Sequence, residues 1–219
     1  MISVLLVAHI AVLGYWLGSE LVINNTFRYV SWSQGMPFNE RNRLMVHLMN
    51  VDQHVRYALV LQLGLGFALG ALYGFIPGGE TTAWAFLAFM LAWLVFVEVI
   101  HHVRFSPVGT TLALIDRVSR YVLILILLGT GIYNLVSATA MPSWLSWKLI
   151  CFAGVVSSGV GIRIALIKYF AIWQNIEQEG STPSNEKALK SSYVKATSVL
   201  VVLWVFISLI VYLSVFKPV

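Results

Sequence analysis

The stretch ATSVLVVLWVFISLIVYLSVF, residues Ala196–Phe216, contains no charged side chain and is about 20 residues long. That is the length an α-helix needs to cross the hydrocarbon core of a bilayer. Five earlier stretches share this apolar character. They are Ile2–Ile23, Val55–Ile76, Thr82–Ile100, Tyr121–Val136 and Trp144–Phe170. The sequence therefore predicts an all-α protein, a polytopic membrane bundle of six transmembrane helices.

The overall composition favours the same class. Of the 219 residues, 59% are hydrophobic and only 11% are charged, a balance typical of a membrane protein rather than of a soluble domain. The formal net charge of +5 does not indicate nucleic-acid binding, because the basic residues lie between apolar segments and form no aromatic-interleaved stripe. We expect a lipid bilayer as the main partner and no nucleic acid. The single cysteine, Cys151, excludes an intrachain disulfide.

The distribution of basic residues predicts the orientation of the chain. Two connections, Pro77–Thr81 and Ser137–Ser143, hold no Lys or Arg. The other three are basic, with Arg28, Arg41 and Arg43, then Arg104 and Arg117, then Lys187, Lys190 and Lys195. By the positive-inside rule the basic connections are cytoplasmic, so both termini are predicted to lie outside, in a multi-pass protein of the cytoplasmic (inner) membrane. The first span lacks a basic region before it and a cleavage site after it, which favours a retained helix.

An internal repeat suggests how the spans are organised. The stretch Asp52-Gln-His-Val-Arg56-Tyr enters the second span, and Asp116-Arg-Val-Ser-Arg120-Tyr enters the fourth. Each places an Asp and an Arg at i,i+4, where the two side chains can pair on one helix face. We expect a single transmembrane domain, residues 1–219, built from helical hairpins at about 1–77, 82–137 and 144–217.

Ionisable side chains are concentrated at the predicted cytoplasmic end of the spans. They are Glu20, His47, Asp52, His54, Glu98, His101, His102 and Asp116. Such groups are costly at membrane depth and are usually functional there. Glu98 also has His101 and His102 at i+3 and i+4. The Glu-x-x-His spacing, present here in one copy, is found in carboxylate-bridged metal sites of helical bundles. This end of the molecule is therefore predicted to carry the activity.

Two kinds of centre fit these residues. A b-type haem would take His54 and either His101 or His102 as ligands, with Arg56, Arg104 or Arg120 pairing the propionates. A centre of iron, copper or another transition metal would instead draw on a wider set. That set is Glu20, His47, Asp52, His54, Glu98, His101 and His102. A polar layer among lipid headgroups, with no bound group, is the third interpretation of the same pattern.

His9 is the histidine that lies well inside a span. His9, Leu13, Trp16 and Glu20 follow i, i+4, i+7, i+11 spacing, which puts them on one helix face and predicts that this face points inward. A neutral imidazole there can ligate haem iron, bind another metal or hydrogen-bond a neighbouring helix. His9 lies in the predicted outer half of its span, so it cannot easily share one iron with the cytoplasmic-end residues.

Several short motifs resemble a known group of membrane proteins. His9-Ile10 followed by Trp16 and Gly18 is similar to the first helix of HemJ-type protoporphyrinogen oxidases and CopD-like haem-associated proteins. The stretches Glu40–Leu44, Trp144–Leu149 and Val215–Pro218 are also similar to HemJ-type segments. The resemblance implies a b-type haem among the helices, with His9 and Lys148 at the positions of the functional His and the catalytic Lys. The chain departs from the group in having six predicted spans rather than four.

The function we expect from these patterns is that of an integral membrane redox protein. It would bind a b-type haem or metal centre and pass electrons to or from a small or lipid-soluble partner, such as a quinone or a porphyrin-like ligand, with or without partner membrane subunits. One alternative is a metal-dependent membrane enzyme. Another is a non-enzymatic membrane subunit or transporter, in which the Asp52–Arg56 and Asp116–Arg120 pairs form gating or docking contacts.

Overall fold

A computed structural model describes residues 1–137 and 141–218, and all secondary structure in that part of the chain is α-helical. The helices are α1 (Ile2–Trp32), α2 (Phe38–Leu72), α3 (Gly79–Val103), α4 (Pro107–Ser137), α5 (Ser143–Glu179) and α6 (Pro183–Phe216). The predicted all-α membrane bundle is confirmed. Among the described residues, α1, α2, α3, α5 and α6 are long and apolar enough to cross a membrane. The predicted span Tyr121–Val136 lies inside α4, which is not one of these five.

The helices are longer than the apolar stretches from which they were predicted. Helix α2 begins at Phe38 rather than at Val55, and α6 begins at Pro183 rather than at Ala196. Helix α1 has 31 residues, about 46 Å of helix, against a hydrocarbon thickness of roughly 30 Å. Much of what looked like basic loop is therefore helix that continues past the apolar stretch.

The chain forms two compact units, of which the first comprises Met1–Phe27 and Asn39–Asp116. Its core is a cluster of Val60 and Leu65 from α2 with Met90 and Val97 from α3, against which Leu5, Ala8 and Val12 of α1 pack. A Cβ built on Gly64 would lie only 2.4 Å from Met90 Cβ. A glycine at this position lets α2 and α3 approach closely, as small residues do between membrane helices.

Polar contacts set the antiparallel register of this unit. Gln53 Nε2 donates to the carbonyl of Val97 at 3.2 Å, and Gln62 Nε2 donates to the carbonyl of His9 at 3.1 Å. These bonds place His54 level with the last two turns of α3, and His9 level with Gln62, about two turns past the middle of α2. Gly74 and Gly78, with φ of 80° and 95°, take left-handed conformations in the turn between α2 and α3 that favour glycine.

The second unit comprises Arg28–Phe38 and Arg117–Val219. Helix α5 packs along α6, and a Cβ on Gly154 would lie 2.7 Å from the ring of Phe206. The end of α4 is tied to the start of α5, because Asn134 Nδ2 donates both to the Met141 carbonyl and to Ser146 Oγ. Ser31 and Tyr169 form a buried hydroxyl pair at 2.9 Å.

Large apolar side chains cover much of the helix surface. Val4 is 71% exposed, Val95 is 63% exposed and Val205 is 53% exposed. Such a surface would be unfavourable in water and is what a helix presents to lipid acyl chains. The chain is a membrane protein.

Candidate functional site

The predicted inward face of α1 is buried at Trp16 and Glu20 and partly buried at His9 and Leu13. Trp16 is 3% exposed and Glu20 is 6% exposed, and Trp16 Nε1 donates to Glu20 Oε1 at 3.2 Å. His9, two turns earlier, lies next to α2, where a Cβ on Gly66 would be 3.4 Å from its Cε1 atom. The absence of a side chain at position 66 leaves room for the imidazole.

His54 is held by two tyrosines, one from another helix. Its Nδ1 and the hydroxyl of Tyr15 on α1 are joined by a hydrogen bond of 2.5 Å. The ring of Tyr57, one turn further along α2, meets the His54 imidazole edge to face at a centroid distance of 6.0 Å. His54 therefore has a fixed ring orientation even though the residue is exposed.

Glu98 on α3 accepts hydrogen bonds from two sides. The hydroxyl of Tyr57 on α2 donates to Glu98 Oε2, and Nδ1 of His102 lies 3.3 Å from Glu98 Oε1. The same Nδ1 is 3.0 Å from the Glu98 carbonyl oxygen. Both neighbours of this nitrogen are acceptors, so Nδ1 of His102 carries a proton and, in the neutral ring, Nε2 presents a lone pair.

Together these contacts form one row of polar side chains across three helices. We call Tyr15, His54, Tyr57, Glu98 and His102 the polar strip. The strip holds hydroxyl, imidazole and carboxylate groups, each of which can take up or release a proton. Asp52 and Arg56 form an ion pair of 3.2 Å on the same helix as His54, as their i,i+4 spacing predicted.

A groove of about 560 Å³ opens beside the polar strip. Three of its lining side chains, Tyr15, Tyr57 and Glu98, belong to the strip. The others are apolar: Leu61, Leu94, Val95 and Val99. The volume lies in the range of small-molecule sites, which are mostly apolar with a few polar groups at defined positions. We call this feature the apolar groove.

Part of the predicted metal-ligand set lies close together in the structure. The carboxylates of the set, however, contact side chains that do not belong to it. Glu20 accepts from Trp16, Asp52 pairs with Arg56, and Glu98 accepts from Tyr57. Within residues 1–137 and 141–218, no three His, Cys, Asp or Glu side chains are gathered closely enough to hold a metal ion. His47 is exposed on α2. A metal centre here stays a prediction.

The other predicted residues lie around the strip or outside the first unit. His101 is partly buried on α3, where the charges of Arg104, Glu98 and Arg56 act on it. His9 is level with Gln62, about two turns of α2 beyond His54, so roughly 12 Å separates the two levels. This supports the expectation that His9 and His54 do not share one iron. Arg120 and Lys148 belong to the second unit.

Sequence reasoning did not identify Tyr15 and Tyr57 as site residues. Tyr57 closes the motif Asp52-Gln-His-Val-Arg56-Tyr57, and the related motif ends at Tyr121. The recurrence of a tyrosine at the same offset was therefore a usable signal for Tyr57. Tyr15 carries no such signal, because its role depends on the packing of α1 against α2.

No protein-family model, curated protein or solved structure matches this chain. The resemblance to HemJ-type and CopD-like proteins, and the roles it implies for His9 and Lys148, stay predictions.

Proposed function

We propose that this chain is an integral redox protein of the cytoplasmic membrane that binds a lipid-soluble carrier of the quinone class in the apolar groove. The observation that supports the proposal is that an apolar groove lies next to a row of side chains that can exchange protons. A quinone has the same two parts, an apolar body and carbonyl oxygens that accept hydrogen bonds. The cytoplasmic end of the spans, as the basic residues predict it, is the side on which the strip lies.

The polar strip suits the proton chemistry of such a carrier. Reduction of a quinone to a quinol takes two electrons and two protons, one proton for each carbonyl oxygen. The electrons would come one at a time from the b-type haem proposed below, and the polar strip would handle the protons. Tyr57 and Glu98 border the groove and share a hydrogen bond, so a proton can move between them and a ligand oxygen. His54 contacts Tyr15, and His102 contacts Glu98. Both imidazoles can exchange that proton with water at the exposed end of the strip.

A b-type haem is the second proposed ligand, and two imidazoles are suited to it. Metal-ligating histidines usually have their other ring nitrogen hydrogen-bonded to an oxygen. Nδ1 of His102 lies between two Glu98 oxygens, and Nδ1 of His54 contacts the Tyr15 hydroxyl. His54 and His102 would hold the iron through Nε2, and when bound the haem would supply one-electron transfer. In this unit Arg56 is the candidate to pair with a haem propionate. The propionate would compete with Asp52 for the Arg56 guanidinium.

Filling the apolar groove tests the quinone proposal. Val95 lines the groove and is 63% exposed, so a tryptophan there occupies ligand space without disturbing the core. We expect Val95→Trp to weaken binding of a short-chain ubiquinone analogue to the purified protein roughly tenfold or more. Binding is followed by isothermal titration in detergent.

Val205→Trp provides the matched control, since Val205 is similarly exposed but lies on α6, outside the groove. It should leave the affinity unchanged. Equal affinities of wild type and Val95→Trp, or no binding of the analogue to the wild type, would exclude the groove as a quinone site.

A further inference from the structure

Two lysines meet at one end of the second unit, where α5 begins and α6 ends. Lys217 Nζ lies 5.7 Å from the centroid of the Trp144 ring. Lys148 follows Trp144 by one helical turn, so the two side chains share a face of α5. The Lys217 charge is close enough to act on Lys148. Two lysine charges therefore lie near Trp144.

Among the described residues of the second unit, no Asp or Glu side chain lies near this pair. The glutamates of this unit are Glu177 and Glu179 at the far end of α5 and Glu186 at the far end of α6. At 1.5 Å per residue, each lies roughly 45 Å along its helix from the lysine at the other end. Lys148 is also only partly exposed. A half-buried ammonium beside a like charge is unfavourable until an anion joins them.

The start of α5 adds to the positive potential at this point. Its N-cap residue is Pro142, whose side chain makes no capping hydrogen bond. The first backbone N–H groups of a helix that lack a side-chain cap favour an anion near them. Lys148 lies in the second turn of this helix, so its charge and the helix end act on the same region.

The surroundings identify the kind of anion. Trp147 is 51% exposed, Tyr212 is 52% exposed and Phe216 is 67% exposed, and the rings of Tyr212 and Phe216 pack at 4.8 Å. Exposed aromatic side chains at the ends of spanning helices lie at the level of lipid headgroups. We infer that Lys148, Lys217 and Trp144 form a binding site for the phosphate headgroup of an anionic phospholipid, whose acyl chains lie along the apolar ends of α5 and α6.

Lipid binding to the purified protein tests this inference. Native mass spectrometry is used to titrate the detergent-solubilised protein with phosphatidylglycerol and, separately, with phosphatidylcholine. We expect wild type to bind one phosphatidylglycerol in preference to phosphatidylcholine. The double variant Lys148→Gln, Lys217→Gln should lose roughly tenfold or more in that affinity, since both lysines attract an anionic headgroup.

A double variant with the same change of charge serves as the control. Lys168 on α5 and Lys195 on α6 are both exposed and lie away from Trp144. Lys168→Gln, Lys195→Gln should keep the preferred phosphatidylglycerol. If both double variants lose the same affinity, or neither does, the site is excluded.

Two further measurements keep the outcome interpretable. If the Lys148→Gln, Lys217→Gln chain loses its helical circular dichroism, the single variant Lys217→Gln is used in its place, because Lys217 is exposed at the helix end. This single variant should still weaken phosphatidylglycerol binding.

Thermal unfolding in the presence of inorganic phosphate distinguishes lipid binding from binding of a soluble anion. Phosphate that stabilises wild type as much as phosphatidylglycerol does would overturn the lipid assignment.

Discussion

At the residue scale, the polar strip depends on which nitrogen of each histidine is already engaged. The spacing in the sequence predicts His101 and His102 equally well as haem ligands, because both follow Glu98 by about one helical turn. The structure distinguishes them, since Nδ1 of His102 contacts two Glu98 oxygens while His101 lies among the charges of Arg104 and Arg56. His102 is therefore the better haem-ligand candidate.

This distinction gives a spectroscopic prediction. If His54 and His102 hold a haem, His54→Ala and His102→Ala will each remove the haem bands from a reduced-minus-oxidised absorption spectrum of the purified protein. His47→Ala should leave the bands unchanged, because His47 is exposed one heptad earlier on α2. Haem bands that persist in both strip variants but vanish in His9→Ala would indicate that His9 on α1 ligates the haem instead. Metal without haem bands would favour a non-haem centre.

At the element scale, the spans were predicted where apolar residues are dense, but the helices continue well beyond them. Helix α2 runs through Glu40, Arg43 and His47 before it reaches its apolar half. A hydropathy pattern records the part of a helix that faces lipid, whereas helical hydrogen bonding also continues through polar residues. For this reason the prediction located the five long apolar helices but misjudged where α2 and α6 begin and where α1 and α5 end.

Close packing of α2 against α3 can be tested at Gly64. An alanine there would place Cβ 2.4 Å from Met90 Cβ. Rotation of the Met90 side chain does not move that atom, so the helices must separate. We expect Gly64→Ala to destabilise the protein by about 1–3 kcal/mol, measured as a lower thermal unfolding temperature in detergent. Gly159→Ala on α5, where a Cβ would meet nothing within 4 Å, should not lower it.

At the scale of the whole molecule, α4 decides the topology. Five described helices are long and apolar enough to span, and α4 is not among them. Its first half carries Asp116, Arg117 and Arg120, while its second half is the predicted span Tyr121–Val136. If α4 crosses the membrane, the start of α6 is on the opposite side from the start of α3. If it does not, the two starts are on the same side.

Cysteine labelling separates these arrangements. In a Cys151→Ser background, Thr81→Cys marks the start of α3 and Ser184→Cys marks the start of α6, both at exposed positions. We expect an impermeant maleimide to label Thr81→Cys in spheroplasts and Ser184→Cys only after lysis, in accordance with the positive-inside rule. Labelling of both before lysis would mean that α4 does not cross, and the reverse pattern would invert the orientation.

The sequence alone determined that this is a helical membrane protein, where the apolar spans lie and that ionisable groups gather near one end of them. Those properties follow from hydrophobicity and spacing along a single helix, which are local. Only the tertiary structure decided that Tyr15 meets His54, that Tyr57 meets Glu98 and that an apolar groove opens beside them. Such contacts depend on the rotation and register of neighbouring helices, which packing at residues such as Gly64 and Met90 sets and no single-helix pattern contains.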